Sequence, residues 1–236
     1  MKTKNLDVVY FVKESVVNEE LRYSLRSVEK NLEYNHVWIF GGCPVRVQPD
    51  VYVKVKQPSK NKWDNVRMMF KMACQNKELT DDFILFNDDF FVMQPTDEIE
   101  TIYRATLEEH IEILKRGYGG NLSPYAKLLR DCKGKLESLG KPTLSYELHT
   151  PFIFNKRKLL KLLETYPEMH CNRTMYGNVY KIGGEQHGDI KIFSVDTKLD
   201  YKNSQFLSTD DGICNVNNEI WMWLRSQFRD KSQYEL

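Results

Sequence analysis

Apolar residues in the first ninety positions come in short runs separated by stretches with helical spacing. Residues 6–12 carry Leu6, Val8, Val9, Tyr10, Phe11 and Val12, an almost unbroken run that predicts a strand buried on both faces. Asn18 then offers an N-cap with Glu19 and Glu20 in the first turn, and Leu21, Leu25, Val28 and Leu32 form the stripe of a helix ending near 32. Further strands are expected at 36–40, stopped by Gly41 and Gly42, and at 51–55. A helix over 65–77 buries Val66, Met69, Phe70 and Ala73, and a strand at 82–86 ends abruptly in Asn87, Asp88 and Asp89. This alternation predicts an α/β fold with an open, mostly parallel sheet flanked by helices. Beyond it the pattern predicts an amphipathic helix over 99–114, broken at 117–120. It also predicts strands at 151–154 and 190–193, a leucine-rich helix at 156–165, turn chemistry after 194 and a tryptophan-rich helix at 219–224. No repeat or linker interrupts the chain, so one domain over 1–236 is expected.

The 236 residues are 41% hydrophobic and 12% aromatic, enough for a sizeable core, and the net charge of +1 excludes a generally basic nucleic-acid coat. No apolar run reaches the roughly 18 residues of a membrane span, and no signal-peptide core follows Met1, so a cytoplasmic protein without membrane insertion is expected. Five scattered cysteines, never spaced C-x-x-C, suit reduced thiols and argue against a zinc site. Charge is nonetheless sorted along the chain. Residues 54–77 carry seven basic side chains against Asp64, and residues 127–161 carry nine against three acids.

Open α/β sheets bind ligands beyond the carboxyl ends of their strands. Lys13 and Glu14, Gly41 and Gly42, and the trio at 87–89 all lie there. Adjacent carboxylates on a loop repel each other, and a hard divalent cation relieves that repulsion with oxygen ligands; a turn or cap is the plainer alternative for Asp88 and Asp89. No Rossmann or P-loop glycine pattern and no G-x-S-x-G elbow occurs. A metal-dependent phosphohydrolase, with Asp189, Asp210 and Asp211 as remote ligands, and a non-catalytic binding module are the rival classes.

Several blocks together resemble a known family: Asp7 to Tyr10, Asn18 to Asn31 with its Leu-Arg-Tyr-Ser-Leu-Arg-Ser core, Phe86 to Phe91, and His149 to Pro151. They are similar to the ordered blocks of Stealth-type sugar-phosphate transferases and to short phage glycosyltransferases of GT-A type, down to the ending at Lys231 to Glu235. Where the Stealth pattern has a Trp-Val-Asp-Gly-like turn, this chain has Phe11, Val12, Lys13 and Glu14. The resemblance implies a GT-A-like fold and a metal-dependent glycosyltransferase using Mn²⁺ or Mg²⁺ and a nucleotide sugar, a UDP-sugar foremost. Hexose-1-phosphate transfer to a capsular or cell-wall glycan is the alternative. Residues 1–95 would form the nucleotide and metal half, and residues 96–236 the acceptor half. Asp89 would ligate the metal, Asp88 would support it or face the sugar, and Asn87 would take the place of a ribose-contacting aspartate. Tyr10, Phe11, Val12 and Lys13 would form the nucleotide pocket, with Lys62 and Asn65 reaching base, ribose or phosphate. Arg22 and Arg26 would orient the acidic loop or touch phosphate, or stand as plain helix charges. His149, Asp211 and Glu185 are candidate bases for the acceptor hydroxyl. The acceptor would be a modified DNA base or a glycan, with Lys127, Arg130, Lys133, Lys135 and Lys141 lining an entrance for a polyanion.

Overall fold

The structure is a computed structural model describing residues 1–193, 203–214 and 218–236. Strands β1 (Asp7–Val12), β2 (Val37–Gly41), β3 (Val51–Lys54) and β4 (Asp82–Phe86) are parallel neighbours in the order β3-β2-β1-β4. The mostly parallel sheet flanked by helices follows the expectation from the sequence. Alternate side chains of each strand feed opposite layers. Val8, Tyr10, Val12, Ile39, Ile84 and Phe86 pack with helix α1 (Glu19–Asn31), whereas Val9, Phe40, Phe83 and Leu85 pack with α2 (Lys62–Gln75). Burial on both faces is why β1, β2 and β4 read as continuous apolar runs, whereas the edge strand β3 alternates between half-buried and exposed.

α2 starts three residues before its sequence-based boundary because Asn61 caps it, its side chain accepting from the Trp63 amide at 3.2 Å. After β4 come β5 (Phe90–Val92), β6 (Ile102–Tyr103), β7 (Ala105–Thr106), α3 (Leu107–Gly117) and α4 (Pro124–Ser138). The helix expected over 99–114 is thus half strand. Ile99 is buried with the α1 layer, Ile102 and Tyr103 pair with a later strand, and the helix begins only at the Thr106–Glu109 capping box.

The chain continues through β8 (Leu144–Ser145), β9 (Phe152–Asn155), α5 (Lys156–Thr165), α6 (Asn172–Val179), β10 (Glu185–Gln186), β11 (Lys191–Ile192), β12 (Phe206–Thr209) and α7 (Glu219–Gln227). β9 adds to β4 antiparallel, so the second half of the chain completes the first half's sheet. β5, β12 and β11 make a second small sheet, covered by α7 and Tyr23 of α1. Of the stretch expected as turn after 194, residues 194–202 and 215–217 lie outside the described residues, and the described part includes strand β12. No helix among the described residues is long and apolar enough to cross a membrane. All five cysteines are free thiols.

The C-terminal segment is strapped to α1. The buried Glu235 carboxylate accepts from Arg22 Nη2 at 2.6 Å and from Arg26 Nη2 at 2.8 Å. Burial alone would raise the Glu235 carboxyl, but the two guanidinium groups hold it down at about 2. Its contribution to stability is therefore complete above the usual carboxyl value near 4.5 and is lost as pH falls toward 2. Glu235→Ala is expected to cost about 3–5 kcal/mol by leaving the buried Arg26 without its anion and Arg22 with Glu19 alone. Urea denaturation at pH 7 measures this, and a loss below about 1 kcal/mol would reduce the strap to a surface contact.

Candidate functional site

Two adjoining clefts open at the carboxyl ends of the parallel strands and share Lys62 and Val66. The first, about 430 Å³, is lined by Phe11, Lys13, Lys60, Lys62 and Asn65 among others. Its floor depends on Gly41, whose φ of +116° suits glycine and whose Cβ would lie 2.2 Å from the Val12 carbonyl oxygen. That absence of a side chain lets Gln57 Nε2 donate to the Val12 oxygen at 2.8 Å. Asn65 shapes the wall: its amide exchanges hydrogen bonds with the Ser59 backbone at 2.8 and 3.1 Å. Lys13, Lys60 and Lys62 bring three ammonium groups against the single carboxylate Glu14. This cleft is suited to a polyanion.

The second cleft, about 280 Å³, lies between the start of α2, the end of β4 and the loop before β9. Lys62, Trp63, Asn87, Glu147, His149 and Arg173 are among its walls. Arg173 is buried, donating to the Leu148 and Thr150 carbonyls, each at 2.7 Å, and so fixes the backbone on either side of His149. Burial raises the Glu147 carboxyl, with Arg173 opposing. His149 gives its Nδ1 to Asp189 Oδ2 at 2.8 Å, and its ring meets Phe90 edge-on. Neither Glu147 nor Arg173 figured among the candidates from the sequence. The sequence carries no signal for them: Asn172, Arg173, Thr174 and Asn178 of α6 are polar yet all buried, which only the fold reveals.

The acidic turn is positioned by α1. Ser24 donates to the Phe90 carbonyl, Ser27 Oγ accepts from the Val92 amide at 2.9 Å, and Asn31 donates to the Val92 carbonyl at 2.7 Å. The Leu-Arg-Tyr-Ser-Leu-Arg-Ser block is thus a structural clamp. Its serines hold β5, its arginines hold Glu235, and Tyr23 packs under the small sheet. Asp88 Oδ2 accepts from Asn18 at 2.7 Å, and burial raises its carboxyl against that hydrogen bond. Asp89 Oδ2 accepts from Lys191 at 3.1 Å and from Ser208 at 3.0 Å. Of the trio, Asn87 lines the second cleft, and Asp88 and Asp89 line neither of the two.

The structure separates several residues grouped by the sequence reading. Tyr10 is fully buried on the α1 side of the sheet with its hydroxyl 2.8 Å from Ser24, so its side chain cannot line a nucleotide pocket. The Val12 side chain is also buried and meets the cleft region only through its carbonyl. Arg22 is committed to Glu19 and Glu235 and reaches neither cleft. Asp211 is exposed, outside both clefts. Glu185 is exposed on β10 and does not line the cleft that holds His149. In the basic stretch, Arg130 pairs with Asp131, Lys133 with Glu108 and Glu137, and Lys135 with Glu168, all at the surface.

The oxygen donors of Asp88 and Asp89 do not fit a divalent cation as they stand. Asp89 already accepts a lysine ammonium, Asp88 is turned to Asn18, and no three His, Cys, Asp or Glu side chains among the described residues converge on one point.

No family model matches the sequence, and no curated protein matches it. Among solved structures, an active-site mutant of LgtC is similar at a TM-score of 0.48 and 11% identity, covering 97% of this chain and 98% of that one. Galactosyltransferase LgtC in complex with donor and acceptor sugar analogues is similar at 0.47 and 10%, with the same coverage. The glycosyltransferase GlyE of Streptococcus pneumoniae TIGR4 gives 0.33 and 10%, over 78% of this chain and 45% of that one.

Glu20 carries the testable electrostatics of the acidic turn. Burial, followed by the charges of Asp89 and Asp88, pushes its carboxyl up to about 7 against hydrogen bonds from Cys214 and Thr209. Between the usual 4.5 and 7 the folded chain keeps a proton that the unfolded chain releases, so stability falls as pH rises through that window. Glu20→Gln should remove this slope and raise stability above pH 7 by up to about 3 kcal/mol. Urea midpoints from pH 4 to 9 report it, and an unchanged slope would assign the pH dependence to another group.

Proposed function

We propose that this protein is a glycosyltransferase that moves a sugar from a nucleotide sugar to a hydroxyl of a glycan acceptor. The observation that carries the reading is the pair of adjoining clefts, one lined by Lys13, Lys60 and Lys62 and the other by Asn87, Glu147, His149 and Arg173. The lysine-lined cleft is the donor site, within the size range of small-molecule pockets. Its ammonium groups meet the diphosphate, and Lys62 at the junction stands where the leaving phosphate separates from the sugar. Charge on the diphosphate grows as the glycosidic bond breaks, so fixed cations there stabilise the transition state more than the ground state. The second cleft takes the sugar and the acceptor hydroxyl. The sequence blocks resembling GT-A-type and Stealth-type transferases support the same assignment, with a uridine diphosphate sugar as the first donor to try.

In this reading the leaving group is neutralised by lysines, because Asp88 and Asp89 are engaged by Asn18, Lys191 and Ser208. A neutral glycan is preferred to DNA as acceptor because Arg130, Lys133 and Lys135 are already paired.

Calorimetry with uridine diphosphate is expected to show binding that persists in a metal chelator. Lys62→Ala should weaken it by about 1.5–3 kcal/mol, a charge-assisted hydrogen bond to phosphate. Equal affinity in variant and wild type would remove Lys62 from the donor site. Binding that needs Mn²⁺ and is abolished by Asp89→Ala would instead return a metal to the acidic turn. During turnover a nucleoside diphosphate should be released; release of a monophosphate would identify sugar-phosphate transfer.

A further inference from the structure

Asp189 sits at a junction of four hydrogen bonds. Its Oδ2 accepts from Arg104 Nη1 at 2.7 Å and faces His149 Nδ1 at 2.8 Å, and its Oδ1 accepts from the backbone amides of His149 at 3.1 Å and Ile190 at 3.0 Å. Burial alone would raise this carboxyl, but His149 and the Arg104 guanidinium hold it down at about 2. With two backbone amides on Oδ1 and the Arg104 guanidinium on Oδ2, Asp189 is held as an acceptor, and Nδ1 of His149 is the donor to it. A neutral imidazole that donates through Nδ1 presents a lone pair at Nε2. The Asp189 side chain is 13% exposed and the His149 side chain 35%, so the pair runs from the protein interior to the cleft surface.

Backbone and ring are both constrained. The two carbonyls flanking His149 are held by the buried Arg173, the amide by Asp189, and the ring edge by Phe90. Arg104 donates to the same Oδ2 that faces His149, so a fixed cation beside the pair favours the ionised carboxylate. Such support from behind is more than a surface histidine needs and matches what a positioned base requires. The rival bases are less well placed: Glu185 is exposed on β10, Asp211 is outside both clefts, and Glu147 is turned to the Thr174 amide at 3.2 Å.

We propose that Asp189 is a positioning residue that sets His149 as the general base for the acceptor hydroxyl, making the transfer a single displacement with inversion at the anomeric carbon. The inference rests on the transferase reading above. The acceptor oxygen bonds to the anomeric carbon as its proton passes to Nε2. The bond from that carbon to the phosphate oxygen breaks, and its electron pair leaves with the diphosphate. The Nδ1 proton stays between His149 and Asp189 throughout.

Three measurements on the full chain test this. In the free protein, nitrogen-edited NMR should show a downfield Nδ1 proton on His149 that is lost in Asp189→Asn; its absence in the wild type overturns the pair without reference to activity. In turnover with a nucleotide sugar, His149→Ala should lower kcat by about 10²–10⁴-fold, with donor KM unchanged. Added imidazole should restore rate to His149→Ala in proportion to its concentration, while Asp189→Asn should lower kcat at unchanged donor KM. Full kcat in Asp189→Asn, or loss in Glu147→Gln with no imidazole rescue of His149→Ala, overturns the assignment and leaves the transferase reading standing. Product NMR should show an anomer opposite to the donor's, and retention overturns the single displacement. A wild type that transfers no sugar while keeping the Nδ1 proton overturns the transferase reading and the base assignment with it.

Discussion

The parallel strands β1, β2 and β4, buried on both faces, constrain everything else in this molecule. With α1 against one side and α2 against the other, neither face of the sheet is free for a ligand. What stays open is the edge where the strands end, and there the backbone turns from Val12, Lys54 and Phe86 into loops carrying Lys13, the 57–62 segment and Asn87. The clefts exist because the sheet cannot be approached elsewhere, and their polar walls exist because loops supply them.

The second half of the chain supplies the other wall. β9 joins β4 in the sheet, and the loop before it presents His149 between Asp189, Arg173 and Phe90. Phe90 belongs to β5, which the serines of α1 clamp, so one set of contacts relates the acidic turn, the histidine and the first helix. This coupling explains why the Leu-Arg-Tyr-Ser-Leu-Arg-Ser block matters without touching a ligand. Each of its polar side chains holds a piece of backbone or tail that lies far off in sequence.

The sheet was readable from the sequence because period and length agree there: short apolar runs, caps at Asn18, glycines at the end of β2. The helix over 99–114 was misread because Ile99, Ile102 and Tyr103 keep helical spacing while packing as extended chain, and only Thr106 with Glu109 marks the true start. α6 left no amphipathic stripe because its polar side chains point inward. Within the site, the position of the acidic trio followed from the strand before it. Its partners did not, since Lys191 and Ser208 lie more than a hundred residues away and pair with Asp89 only once the small sheet forms. A strand end at Tyr10 and a helix face at Arg22 do not by themselves reveal which side is core, so the contacts of these residues with Ser24 and Glu235 are visible only in the fold.

The central claim is that an anionic nucleotide ligand binds at the carboxyl edge of the parallel sheet, between β1 and the start of α2. Hydrogen exchange with and without uridine diphosphate locates the ligand directly. The account predicts added protection at the amides of Lys13 and of residues 57–66, with none at Asp82 or Asn155 on the opposite edge. Protection confined to that opposite edge, or to the acidic turn alone, would contradict it.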